Sequence, residues 1–250
     1  MKKYLILLFF TFSSALVFAQ NGYQIKISLI SYKQSKIWLG YYYGKLKAVA
    51  DSTVLDATGK GSFKGKDKLQ GGVYFVVSPN KEILFELLID SQQHFSISAD
   101  TGNFPIKAKF TGSPENMMFQ AYTEYMAQQG TAIAAAQAAL AKSPNKEDSS
   151  RLIAKIRALN LEVQHYREDI EKKYPGSLLA MLLRALKEPV VPELNKNGAK
   201  KADSLYAYHY YKSHYWDGVS FTDDRLIRTP IFEPKLERYY KTLSYLMRIP

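Results

Sequence analysis

The stretch SHYWDGVSFTDDRLIRTPIF, Ser213 to Phe232, places one histidine, one tryptophan, three aspartates and two arginines in a short interval. Three chemistries draw on such residue types. Asp217 or Asp223 beside His214 would supply the carboxylate and imidazole of an acid–base hydrolase. Asp217-Gly218 and Asp223-Asp224 offer oxygens of the kind that bind calcium, but the alternate-residue ladder of acids and the closing glutamate of a calcium loop are missing. Arg225 and Arg228, on one helix face, would pair with Asp217 or hold an anion. A structural role accounts for the same residues. Thr222 reads as a capping hydroxyl, Asp223 and Asp224 as first-turn carboxylates, and residues 224–228 as one short helix closed before Pro230. On this reading Tyr215, Trp216, Asp217, Asp224, Arg225 and Arg228 form a docking or ligand surface, and no residue is assigned a catalytic role.

Other reaction motifs are missing. The sequence contains no HExxH, CxxC, GxSxG or GxxxxGK[ST] pattern. Its four histidines are His94, His165, His209 and His214, and the last two are five apart, a spacing that turns them to different sides of a helix. We therefore expect neither a metal nor a cofactor.

The elements that must position these residues change character near residue 112. Before it, Tyr23, Ile25, Ile27 and Leu29 alternate with Gln24, Lys26 and Ser28, and similar short runs cover 36–43 and 72–78. Turn residues at 56–61, 78–81, 90–93 and 100–103 separate such runs, with no helix between them. The pattern predicts an antiparallel β-sandwich or barrel-like domain over 20–112. Trp38 and Tyr42 share one strand face and Tyr41 and Tyr43 the other, so these aromatics are expected in core and cross-strand packing. Exposure of Trp38 together with Tyr42 would instead favour a glycan platform.

Ser113-Pro114-Glu115 opens a helix to about Lys142, and a second follows Ser143-Pro144-Asn145 to about Lys173. Leu152, Ile156, Leu159, Val163, Tyr166 and Ile170 form a heptad seam, answered by Met118, Tyr122, Tyr125, Gln129, Ala132, Ala136 and Leu140 or Ala139. The spacing predicts a long antiparallel hairpin over 113–174 with an alanine-rich, mobile tip. A nearly all-apolar third helix over 177–187 is expected to be buried, and further helices over 199–215 and 235–247 complete a helical region over 113–250. The fold class is α+β.

Residues 1–19 have the form of a cleaved signal peptide: Lys2 and Lys3, an apolar run from Leu5 to Val17, then Val17-Phe18-Ala19 before Gln20. That run is shorter than the ~20 apolar residues of a spanning helix, and no later segment is long and apolar enough to span. The chain, 250 residues without cysteine, is expected in an exported, periplasmic or envelope-associated space, with no lipid-modified cysteine and no disulfide. Its net charge of +11 is spread rather than clustered, and export argues against nucleic acid as partner.

The pattern His214-Tyr215-Trp216-Asp217, Phe221 to Leu226 and Arg228-Thr229-Pro230 resembles a region of unknown function in exported Gram-negative proteins that end in a thioredoxin-like domain. Leu39-Gly40-Tyr41, Leu69-Gln70-Gly71-Gly72-Val73-Tyr74, Leu88-Ile89-Asp90, Gln93-His94-Phe95-Ser96 and Gly112-Ser113-Pro114-Glu115-Asn116 resemble their amino-terminal domain of unknown function. The resemblance implies a non-catalytic recognition or positioning module, truncated before a redox domain or standing alone, whose partner is an envelope protein or that domain. This polypeptide lacks the thiolate that thiol–disulfide exchange requires. An envelope glycan- or lipid-binding protein using surface aromatics is the alternative, and a hydrolase built on Asp217, Asp223 and His214 ranks last.

Overall fold

The computed structural model describes residues 22–100, 107–143, 145–192 and 205–244. The signal peptide, the turn at 101–103, part of the loop after the third helix and the outer ends of the last two helices expected from sequence lie outside the described residues.

Two four-stranded sheets face each other. One has the order β4-β1-β7-β8, from β4 (Lys60–Gly65), β1 (Tyr23–Leu29), β7 (His94–Asp100) and β8 (Lys107–Thr111). The other has the order β3-β2-β5-β6, from β3 (Leu46–Val54), β2 (Lys36–Tyr43), β5 (Gly72–Val77) and β6 (Ile83–Ile89). Tyr23, Ile25, Ile27 and Leu29 all point inward, as their alternation requires, and meet Ile37, Leu39, Val76, Leu87, Phe95 and Phe110. The sheets are not wholly antiparallel: β1 and β7 pair in parallel, from Gln24 opposite His94 to Leu29 opposite Ala99. The chain builds the whole second sheet between these strands and returns to the first in the same direction, which a tight hairpin cannot do.

Asp56 closes the turn before β4. Its Oδ1 accepts from the Thr58 N–H and hydroxyl, both at 2.7 Å, and from the Lys60 N–H at 3.0 Å, and these donors hold its carboxyl below the usual range.

Helices α1 (Pro114–Ala141) and α2 (Lys146–Lys173) form the expected hairpin, started by Ser113 and Asn145, whose side chains accept from the N–H groups of Asn116 and Asp148. The seam follows the heptad reading, with Ala136, Val163 and Ile170 buried and Leu140 rather than Ala139 facing inward. Tyr166 packs 4.2 Å from Tyr125 and stacks 6.3 Å from Tyr122 near the base. Toward the tip α1 brings Ala132 and Ala136 to the seam before Leu140, and Gly130 faces open space. Amide exchange over 130–150 is expected to run at least about 100-fold faster than at Val163 to Ile170, because fewer apolar contacts oppose local opening. Equal protection by mass-spectrometric hydrogen exchange would reject a mobile tip.

α3 (Leu178–Ala185) lies between the hairpin and the outer face of the second sheet. Leu178, Leu179, Met181 and Leu182 pack with Val73, Leu88, Ile170 and Leu226 in a second core. β5 is consequently buried on both faces. α4 (Tyr206–His214) and α5 (Phe232–Arg238), the latter continuing as a π-helical stretch over Tyr239–Ser244, close the described chain. Among the described residues no helix is long and apolar enough to cross a membrane.

Candidate functional site

Residues 225–233 lie across one end of the second sheet, where β2 ends, β5 begins and β6 ends. Ile227 accepts a hydrogen bond from the Gly44 N–H at 3.0 Å, in the turn joining β2 and β3. Arg228 Nε donates to the Gly71 carbonyl at 2.6 Å and Nη2 to Asp224 at 2.5 Å. Arg225 reaches the end of β6. Its Nη1 donates to Asp90 at 2.9 Å, while Nε and Nη2 hold both oxygens of Asp223 at 2.9 and 2.7 Å. This fork is the bidentate geometry in which arginine binds carboxylate most strongly.

Residue size permits the approach. A Cβ on Gly71 would lie 2.8 Å from Arg225 Cγ, and one on Gly72 would lie 2.5 Å from Arg228 Cβ and 2.7 Å from its carbonyl oxygen. The segment passes too close to the start of β5 for any side chain there.

The helix expected over 224–228 is a single 3-10 turn, Leu226–Arg228, flanked by Arg225, and no side chain caps it, Thr222 included. Asp223 Oδ1 accepts from the Arg225 N–H at 3.1 Å, whereas the Thr222 hydroxyl pairs with Ser220 at 3.0 Å. Thr229, restricted by the following Pro230, is extended and ends the turn. Nor does Asp217 serve the arginines. It bonds His214 Nδ1 at 2.6 Å as an exposed pair within one turn.

The carboxylates around Arg225 behave differently. Hydrogen bonds from Arg225 hold Asp223 below the usual aspartate range despite partial burial. Glu115 lies in the first turn of α1 and accepts from the N–H groups of Leu178 and Leu179, the free donors at the start of α3. Burial nevertheless pushes its carboxyl up, ahead of those bonds and of the nearby Asp90 charge.

Behind the clamp, Tyr215 is 1% exposed and donates to the Lys235 carbonyl at 2.9 Å. The Lys235 ammonium sits 4.5 Å over the Tyr215 ring and donates to the Lys187 carbonyl, and burial lowers its pKa. Trp216 is half-buried, with ring centres 5.2 Å from Phe221 and 5.3 Å from Tyr239. Phe221, 62% exposed, carries this aromatic cluster to the surface.

The six predicted surface residues thus divide. Arg225, Arg228 and Tyr215 are built into the joint, Asp224 and Asp217 are exposed carboxylates each paired within one turn, and Trp216 opens outward through Phe221. Asp90, Glu115 and the Gly71-Gly72 doublet complete the site. Sequence reading gave the first a turn role and the second a helix-start role, and the doublet before an apolar run was the available signal of close backbone approach.

Trp38 and Tyr42 do not make one platform. Tyr42 donates to Glu86 at 2.5 Å, lies edge-on to Phe75 at 5.0 Å and carries the Lys47 ammonium 5.8 Å above its ring. Trp38 is half-buried beside the Lys36 ammonium.

Residues 23–119, spanning the two sheets and the start of α1, match the family described as Domain of unknown function (DUF4369). No curated protein matches the chain.

Proposed function

We propose that this chain is a non-catalytic, exported recognition and positioning module that works beside a thioredoxin-like domain or protein of the cell envelope. The observation that carries the reading is the use made of the 213–232 stretch. Its arginines and Asp223 hold the helical region against the end of the second sheet, and its aromatic residues lead from the buried Tyr215 to the exposed Phe221. Such a joint fixes the angle between two parts of a scaffold and leaves an apolar spot for a partner. The domain of unknown function over 23–119 agrees with the amino-terminal part of the resemblance and brings no activity of its own to the argument.

Photo-cross-linking from position 221 in intact cells tests this. The expected adduct contains a thioredoxin-like polypeptide with a CxxC motif, whether encoded in frame with this chain or separately. Adducts confined to unrelated proteins, or to envelope polysaccharide, would reject the reading.

A further inference from the structure

β6 is an edge strand, paired with β5 alone. In an antiparallel pair, alternate residues turn both backbone groups away from the neighbour. Leu88 does this. Its N–H donates to Asn116 Oδ1 at 2.7 Å, and its carbonyl accepts from Asn116 Nδ2 at 2.8 Å. The buried Asn116 side chain thus makes the two bonds that another strand would make. The register continues without a shift from Ile89 to Phe85, so Glu86 turns its N–H and carbonyl to the same side. Among the described residues neither group has a partner. The irregularity that follows, where Val76 and Val77 face Phe85 and Ile83, is a device found at strand edges.

Next to this edge is a cleft of about 610 Å³ between β6, the facing edge strand β8 and one side of α1. Phe85, Phe110 and Phe119 give it an apolar lining, and its charged residues are Glu86, Glu124 and Lys107. Carboxylates therefore outnumber the ammonium in the cleft of a chain whose net charge is +11.

The geometry points to the β6 edge and this cleft as the docking site for an extended segment of a partner polypeptide, apolar at alternate positions and carrying lysine or arginine between them. Added beside β6, the segment pairs its backbone with Glu86, places apolar side chains on the aromatic lining and brings a cation to Glu86 or Glu124. A lipid chain would fill the apolar volume but leave the Glu86 backbone groups unpaired. The inference rests on the recognition-module reading and names a second surface for it. Because the cross-link reports from position 221, failure there and failure here are separate results.

The test uses the full chain, isotope-labelled, and a short synthetic peptide alternating valine and lysine. Saturation is expected to slow amide exchange at Glu86 about 10-fold or more. N-methylating the peptide backbone, or replacing its lysines with glutamate, should each weaken binding about 10-fold. Ala127→Trp, at an exposed α1 position lining the cleft, should weaken it similarly while leaving the circular dichroism unchanged. Unchanged exchange at Glu86 under millimolar peptide, equal binding of the N-methylated peptide, or wild-type affinity in the folded Ala127→Trp variant would overturn the inference.

Discussion

Arg225→Ala is expected to lower the free energy of unfolding by about 3 kcal/mol at pH 7, measured by urea titration. Arg225 is the shared counter-ion of Asp90 and Asp223, all three side chains being at most about a quarter exposed. Its loss leaves two partly buried carboxylates near Glu115 without their cation. Arg225→Lys should recover less than half of the loss, since one ammonium cannot reproduce a fork that holds both oxygens of Asp223 and also reaches Asp90.

The pH dependence has a definite sign. The folded pKa of Asp223 is lowered, so its contribution is fully present above the unfolded aspartate value, about 3.9, and is lost as pH falls through the folded value. Wild type and Arg225→Ala should therefore converge in stability as pH drops below about 4. Glu115 works in the opposite direction. Its pKa is raised by burial, so protonating it relieves a cost and adds stability as pH falls from neutral through the folded value toward the unfolded one, about 4.3. A constant gap between wild type and Arg225→Ala from pH 7 to pH 3 would show that the arginine acts by packing alone.

Gly72→Ala is expected to cost about 3 kcal/mol, although it adds one methyl group. That methyl would sit 2.5 Å from Arg228 Cβ and 2.7 Å from the Arg228 carbonyl oxygen, and the backbone there is held by the bonds from Gly44 to Ile227 and from Arg228 to Gly71. The local effect should be release of 225–233 from the sheet. Exchange at the Gly44 amide, which donates to Ile227, should then rise while the Ile25 amide stays protected. Gly130→Ala provides the opposite case. Its added methyl meets nothing within 4 Å on an exposed helical turn, so it should stabilise by about 1 kcal/mol. A Gly72→Ala protein as stable as wild type, with the Gly44 amide still protected, would remove the close joint from the account.

How much of this was legible follows from which forces are local. Strand β1 was readable because one of its faces meets the core and the other meets water or polar side chains, so burial alternates with residue number. β6, with Leu84, Phe85, Leu87, Leu88 and Ile89, shows no such alternation, because one face meets the other sheet and the other meets α1 and α3. The hairpin seam was readable residue by residue, since it repeats along the chain and its partner helix is adjacent in sequence. The parallel pairing of β1 with β7 was not, because it joins strands separated by the entire second sheet.

The 213–232 stretch shows the same division. Sequence alone identified it as a turn-rich polar joint, through Gly218, Pro230 and carboxylates where a helix could start, and it marked Arg225 and Arg228 as charges in need of partners. The partner it named, Asp217, was near in sequence. Asp217 is held by its own neighbour His214, and Arg228 takes Asp224, four residues away, instead. Asp90, 135 residues from Arg225, and Gly71, 157 residues from Arg228, were brought into place by the sheet. Periodicity and capping are properties of a few consecutive residues, so the sequence determined the alternating strands, the hairpin with its seam and the location of the joint. Which charge meets which, and which residues must be glycine to let the backbones approach, depends on the distance between segments remote in the chain, and only the tertiary structure decided it.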